Sequence, residues 1–164
     1  MSNEEFSQVV QEYSDTVYRV CLNICQNRSD AEDLTQNVFL KLYRRSEEFR
    51  NREHLKSWLI RVAINEGKSY ITSPWHKRAI CSLDDSTLDD ADVRFSSKEQ
   101  SDLFLALMAL SPKYRIVVHL YYYENYTVRE IAGMLGLKDT TVQTQLMRAR
   151  KQLKTLLSEA DYEF

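Results

Sequence analysis

Between Thr127 and Lys151 the chain carries hydroxyl, amide and basic side chains at helical spacing. Thr140, Thr141, Gln143, Thr144, Gln145 and Arg148 surround the apolar positions Val142 and Leu146, and a helix would turn them outward. Such groups can hydrogen-bond base edges and phosphates in a major groove. Arg150 and Lys151 extend the same surface, and Thr127 heads the helix before it. Thr127-Val128-Arg129-Glu130 reads as a capping box, Ala132 is small where two helices would cross, and Gly136 suits a left-handed helix stop. A short helix, a glycine turn and a second helix with a polar, basic outer face describe a helix-turn-helix. A purely structural hairpin also needs a turn glycine and is the alternative.

No other cluster has the spacing that enzymatic chemistry needs. Gly67-Lys68-Ser69 matches the end of a phosphate-binding loop, but Val62 stands where its first glycine belongs. His54, His76 and His119 are too far apart to share a metal. No Gly-x-Ser-x-Gly elbow occurs. The expectation is a protein that is not an enzyme, without catalytic residues, metal, cofactor or small-molecule substrate. Cys21 and Cys25 sit one helical turn apart on an apolar stripe. With Cys81 they make an odd number, which favours core cysteines of a reducing compartment over a disulfide or metal site. No apolar run approaches the roughly 18 residues of a membrane span, and Met1-Ser2-Asn3-Glu4-Glu5 lacks a signal-like pattern. A cytoplasmic protein without membrane insertion is expected.

The net charge of −2 conceals strong segregation. Residues 1–49 hold 5 Lys/Arg against 9 Asp/Glu, and residues 50–82 hold 7 against 2. Residues 83–102 then hold 2 against 7, and residues 103–164 hold 8 against 6. Two basic stretches separated by an acidic one suit a polyanion gripped at two places. Ordinary solvated helix faces are the alternative on charge alone.

The elements that must position these groups are helical. With 3 Gly and 2 Pro in 164 residues, hairpin-rich β folds are disfavoured. Phe6, Val9, Val10, Tyr13, Val17, Val20, Cys21 and Ile24 step by three and four. Asn27-Arg28-Ser29 breaks that helix, and Ser29-Asp30-Ala31-Glu32 reads as a capping box opening a second, with Leu34, Val38 and Leu42 inward. A polar loop is expected at Phe49–His54. A third helix follows from about Leu55 to Tyr70, with Leu55, Trp58, Leu59 and Val62 as its buried stripe, and Ser73-Pro74 ends it. Leu83–Gln100 is acidic and lacks an apolar face, so it reads as a flexible linker. Periodicity returns with Leu103, Phe104, Leu107, Met108 and Leu110. Ser111-Pro112 starts the next helix, with Val117, Leu120 and Tyr121 inward. Ile131, Ala132 and Leu135 face inward on the first helix of the hairpin. Val142, Leu146, Leu153, Leu156 and Leu157 do so on a last helix from about Asp139 to Glu159. The expected fold is all-α, with two small helical domains, 1–82 and 103–164, joined by the acidic linker 83–102.

Several of these segments together resemble one family. Asp30-Ala31-Glu32-Asp33-Leu34-Thr35-Gln36-Asn37-Val38-Phe39, Trp58-Leu59-Ile60-Arg61-Val62-Ala63-Ile64-Asn65 and Leu110-Ser111-Pro112-Lys113-Tyr114-Arg115 are three of them. Tyr126-Thr127-Val128-Arg129-Glu130-Ile131-Ala132 and Thr141-Val142 through Leu146-Met147-Arg148-Ala149-Arg150 complete the set. In this order they resemble the extracytoplasmic-function subfamily of bacterial RNA polymerase sigma factors. The resemblance implies a first domain that binds core RNA polymerase and melts the −10 promoter element, and a second that reads the −35 element. It maps polymerase binding to Asp30, Asp33, Leu34, Gln36 and Asn37, on the acidic first segment. It maps the −10 face to the loop before Trp58, with His54 and Leu55, and to Asn65, Lys68 and Ser69. The family often carries an Asp and an Arg where Ser69 and Thr72 stand, and His76-Lys77-Arg78 would supply the basic group instead. The −35 surface comprises Thr127, Thr140, Thr141, Gln143, Thr144, Gln145, Arg148, Arg150 and Lys151. Gln143 and Gln145 replace Lys and Arg of most members, which removes two phosphate-neutralising charges.

The implied partners are core polymerase, promoter DNA and an anti-sigma factor. The implied role is an alternative sigma factor for a stress or envelope response. The alternatives are a sigma-like interaction protein and a helix-turn-helix regulator without promoter-melting activity.

Overall fold

In the computed structural model the described residues are 1–73 and 98–158, and no strand occurs among them. The chain divides into two compact units, Met1–Leu88 and Asp89–Phe164, each taken by itself. The acidic run 83–92, Cys81, Lys77 and Arg78 lie outside the described residues.

The first unit is built from α1 (Asn3–Cys25), α2 (Arg28–Arg44) and α3 (Arg52–Thr72), each packed against the other two. A capping box at Ser2 and Glu5 opens α1, and Gln26 closes it in the left-handed conformation at φ 53°. The chain therefore reverses within two residues. Asn27 caps α2, its side chain accepting from the Asp30 amide at 3.0 Å. The capping box expected at Ser29 does not form. Asparagine is as good an N-cap as serine and stands two residues earlier, and Glu32 pairs with Arg28 at 3.3 Å instead. Asn51 caps α3 by accepting from the His54 amide at 2.8 Å, so the helix begins before the expected Leu55.

Val17, Val20, Cys21 and Ile24 of α1 are buried, as are Leu34, Val38 and Leu42 of α2. Each fully buried aliphatic side chain contributes about 1.5–3 kcal/mol. On α3 the buried set is Leu55, Leu59, Ile60, Ala63, Ile64 and Gly67, while Trp58 and Val62 are only half-buried. The expected single stripe is corrected because α3 lies against two helices and buries a broader face.

The second unit contains α4 (Lys98–Ala109), α5 (Pro112–Val118), a π-helical turn (His119–Tyr123), α6 (Val128–Leu135) and α7 (Asp139–Ser158). Residues 98–102, expected in the linker, are therefore helical. Leu110, Tyr114, Val118 and Ala149 form a buried cluster, with Leu107 and Leu153 against it. Leu103 is 44% exposed and Leu156 36%, so neither holds its expected core position; Ala106 is buried. Arg115 is buried at 4% exposure because its Nη1 donates to the Leu110 carbonyl at 2.7 Å and to that of Met108 at 3.4 Å. The guanidinium thus satisfies carbonyls at the end of α4, where the helix dipole also favours a cation.

Candidate nucleic-acid interface

Two surfaces of the first unit and one of the second gather the residues singled out in the sequence. In the second unit, Thr127 accepts from the Glu130 amide and Glu130 accepts from the Thr127 amide, both at 3.2 Å. Gly136 follows α6 at φ +67°, and its N–H and that of Leu137 return to the Ala132 carbonyl. This tight closure delivers α7 three residues later. Val142, Leu146, Ala149 and Leu157 anchor α7 by burial.

The opposite side of α7 exposes Thr140, Gln143, Arg148, Arg150 and Lys151. Thr141, Thr144 and Gln145 are half-buried. The Thr144 hydroxyl donates to the Thr140 carbonyl at 2.9 Å. The expectation that Gln145 points outward is corrected: its Oε1 is buried and lacks a hydrogen-bond partner. Gln143 and Gln145 flank the Val142–Leu146 stripe at equal angles on opposite sides, and the unit covers the Gln145 side while leaving Gln143 exposed. Thr127 is exposed, with its oxygen engaged in the cap. Met147, not singled out in the sequence, is 61% exposed between Gln143 and Lys151. Its apolar character at a position off the Val142–Leu146 stripe was the available signal. The face combines hydrogen-bonding groups, one apolar contact and three cations, a composition fit for a major groove.

On α2, Asp33, Gln36 and Asn37 are exposed. Leu34 is 6% exposed and belongs to the core, which corrects its placement as a contact. Asp30 is half-buried and accepts from the Tyr70 hydroxyl of α3. Burial first, and then donation to the Asp30 carboxylate, hold the Tyr70 phenol well above its ordinary range. Lys41 pairs with Glu66 across the same two helices. Leu40 at 49% and Tyr43 at 61% exposure continue the Asp33–Gln36 face, and sequence reasoning missed both. This face is polar over residues 33–37 and apolar at Leu40 and Tyr43.

On α3, Arg61, Asn65, Lys68 and Ser69 are exposed at spacings of three and four. Arg61 had not been singled out. His54 and Leu55 are not in a loop: both lie in the first turn of α3. His54 is exposed and its Nδ1 accepts from the Arg50 amide at 3.2 Å, while Leu55 is buried at 7%. Leucine at the fourth helical position faces the core once Asn51 has set the register. The loop itself is residues 45–51. There the Arg45 guanidinium lies 4.7 Å from the Phe49 ring centre and 5.1 Å from that of Trp58, and Glu47 accepts from its Nη2 at 2.8 Å. Phe49 meets Trp58 and His54 edge-on, each at 5.4 Å. A cavity of about 390 Å³ beside this loop is lined by Leu42, Arg45, Phe49, Asn51, Arg52 and Leu55, among others. Aromatic and guanidinium faces are what an unstacked base packs on.

Among the described residues no His/Cys/Asp/Glu group could hold a metal, and no helix is long and apolar enough to cross a membrane.

Comparison with known proteins agrees across both units. Residues 9–77 match the family model of Sigma-70 region 2, and residues 101–153 that of Sigma-70, region 4. The chain is 30% identical over 162 residues to the RNA polymerase sigma-E factor of Streptomyces antibioticus, covering 97% of this chain and 88% of that one. It is 28% identical over 164 residues to the ECF RNA polymerase sigma factor SigE of Mycolicibacterium smegmatis, covering 96% of this chain; it spans 63% of that relative's length. In fold it is similar to the sigma factor RpoE of Bartonella quintana, solved with the anti-sigma factor NepR. That match has a TM-score of 0.78 at 21% identity, over 94% of this chain and 98% of the other. CnrH, solved with the cytosolic domain of CnrY, has a TM-score of 0.65 at 20% identity, over 98% of this chain and 92% of the other.

Proposed function

Because the chain belongs to the extracytoplasmic-function subfamily of sigma-70 factors, we propose how its two helical units divide the work of an alternative sigma factor. Such a factor joins core RNA polymerase and directs it to promoters. Residues 1–82 bind core polymerase through Asp33, Gln36 and Asn37 of α2, with Leu40 and Tyr43 adding apolar contact. The same unit reads the −10 element with Asn65, Lys68 and Ser69 of α3, joined by Arg61 and His54. An unstacked base is held beside the Arg45–Phe49–Trp58 group, in keeping with the way extruded bases are gripped elsewhere. Residues 103–164 read the −35 element with Thr140, Gln143, Thr144, Arg148 and Lys151 of α7.

The observation that carries this reading is the exposed row on α7, presented by a capped α6 and a glycine turn. The protein works in the cytoplasm, catalyses no reaction itself and needs no cofactor. An anti-sigma factor holds it when its regulon is silent; RpoE of Bartonella quintana, similar in fold, is solved with such a partner. In-vitro transcription with core enzyme on genomic fragments tests the whole scheme. Discrete start sites that require the added protein are expected. Transcription no different from core enzyme alone would leave an interaction protein without promoter activity.

A further inference from the structure

We propose that Tyr122, in the π-helical turn ahead of the helix-turn-helix, is a positioning residue that makes Arg150 a preorganised phosphate clamp. The proposal rests on the assignment of α7 to the −35 element. Arg150 Nε donates to the Tyr122 hydroxyl at 2.5 Å. Its Cζ lies 5.5 Å from the centre of the Tyr122 ring and 5.6 Å from that of Tyr121. The two rings meet edge-on at 4.9 Å and 76°. An arginine on a protein surface ordinarily samples many rotamers and loses that freedom when it grips a ligand. Here one hydrogen bond to the Tyr122 hydroxyl and the neighbouring Tyr121 ring hold it beforehand.

Three further observations give the clamp its chemistry. First, donation through Nε leaves the Nη1/Nη2 fork, the edge that grips phosphate oxygens in pairs. Among the described residues Arg150 makes no hydrogen bond other than that to Tyr122. Secondly, Gln143, Met147, Arg150 and Lys154 follow one another by four and three residues. Arg150 thus shares a flank with Gln143 and lies about 10 Å further along the axis, beyond the part that enters the groove. Thirdly, the turn is wound with one extra residue. The Glu124 amide donates to the His119 carbonyl, five residues back, at 3.1 Å. Successive side chains rotate less in such a turn, so Tyr121 and Tyr122 both come round to Arg150. A neutral hydroxyl accepts the Nε–H bond without cancelling the cation. Glutamate at this position would hold the arginine equally well and neutralise it.

That difference supplies the test. Holoenzyme reconstituted from core RNA polymerase and the full chain is titrated on a promoter fragment obtained from the transcription assay, between 50 and 200 mM salt. The variants are Arg150→Ala, Tyr122→Glu and Tyr122→Phe, with thermal melts to establish that each is folded. Loss of one phosphate contact makes the slope of log K against log salt shallower by about 0.9, so affinity falls about 3.5-fold less across that range than in wild type. Arg150→Ala and Tyr122→Glu are expected to show this change. Tyr122→Phe keeps the ring and the charge and removes only the acceptor, so it should weaken binding at fixed salt while leaving the slope unchanged; wild-type affinity for Tyr122→Phe overturns the proposal. So does an unchanged slope for Arg150→Ala, which also decides the matter if Tyr122→Glu does not fold. A fragment with a scrambled −35 element separates the levels. If wild-type binding ignores the scrambling, the −35 assignment falls and the clamp with it. If binding responds but the slopes coincide, the clamp alone falls.

Discussion

Ile24 of α1 and Gly67 of α3 meet where their helices cross, so closely that a Cβ on Gly67 would lie 2.9 Å from both Cδ1 and Cγ2 of Ile24. Hydrogen in place of a side chain is what lets α3 approach α1 at this point. Gly67→Ala is expected to destabilise the first unit by about 1–3 kcal/mol through overpacking. Ile24→Ala opens a cavity and costs about 2–5 kcal/mol on its own. Chemical denaturation of the two single variants and the double variant should show a double variant more stable than the sum predicts. Strict additivity would mean that the crossing relaxes without cost.

Gly133 and Gly136 are three residues apart and should respond in opposite directions. A Cβ at Gly133 meets nothing within 4 Å, and the residue lies inside α6. Gly133→Ala should therefore stabilise the second unit by up to about 1 kcal/mol. Gly136 sits at φ +67°, so Gly136→Ala should destabilise it by about 1 kcal/mol or more. Thermal melts of the two variants check both signs.

Leu34 and its neighbours separate folding from binding. Leu34→Ala should cost about 2–5 kcal/mol of stability, because the side chain is buried. Asp33→Ala with Gln36→Ala should leave helicity and melting unchanged and weaken the pull-down of core polymerase. Unaltered affinity in that pull-down would remove α2 as the contact.

Gln143 and Gln145 should diverge as well. Gln143→Lys is expected to steepen the salt dependence of promoter binding by about 0.9 in log K against log salt. Gln145→Arg should not, since that position lies against the domain. Gln145→Met removes a buried acceptor that lacks a partner and should stabilise the second unit by about 1 kcal/mol. Equal slopes for Gln143→Lys and Gln145→Arg would show that the two positions face DNA alike.

Cys21 sets an alkaline limit on the first unit. Burial pushes its thiol from an ordinary 9.0 up to about 12, a rise only partly offset by a hydrogen bond with Thr35. Between those values the unfolded chain releases a proton that the folded chain keeps. Stability is therefore full below pH 9 and falls by up to about 1.4 kcal/mol per pH unit as pH rises towards 12. Denaturation of wild type and Cys21→Ala across pH 8–11 should show a shallower decline in the variant.

Helices, turns and family were legible in the chain itself because they rest on local rules. Three- and four-residue apolar spacing marks a helix wherever it packs, and a capping box such as Thr127–Glu130 closes on its own neighbours. The rotation of each helix was not legible, because it depends on what lies against it. The buried face of α3 shifted from Trp58 and Val62 to Ile60, Ala63 and Ile64 because two helices cover it. Leu55 kept the buried position that its spacing gave it, and the promoter contact that the resemblance mapped onto it did not hold, because Asn51 starts the helix with Leu55 turned to the core. Gln143 and Gln145 looked alike in the sequence, and only the position of Val142 and Leu146 against the rest of the unit separated them. The contact between Tyr122 and Arg150 spans 28 residues and a π-helical turn that no apolar period announces. Short-range spacing thus determined what the elements are, and packing at long range decided which of their side chains remain for polymerase and DNA.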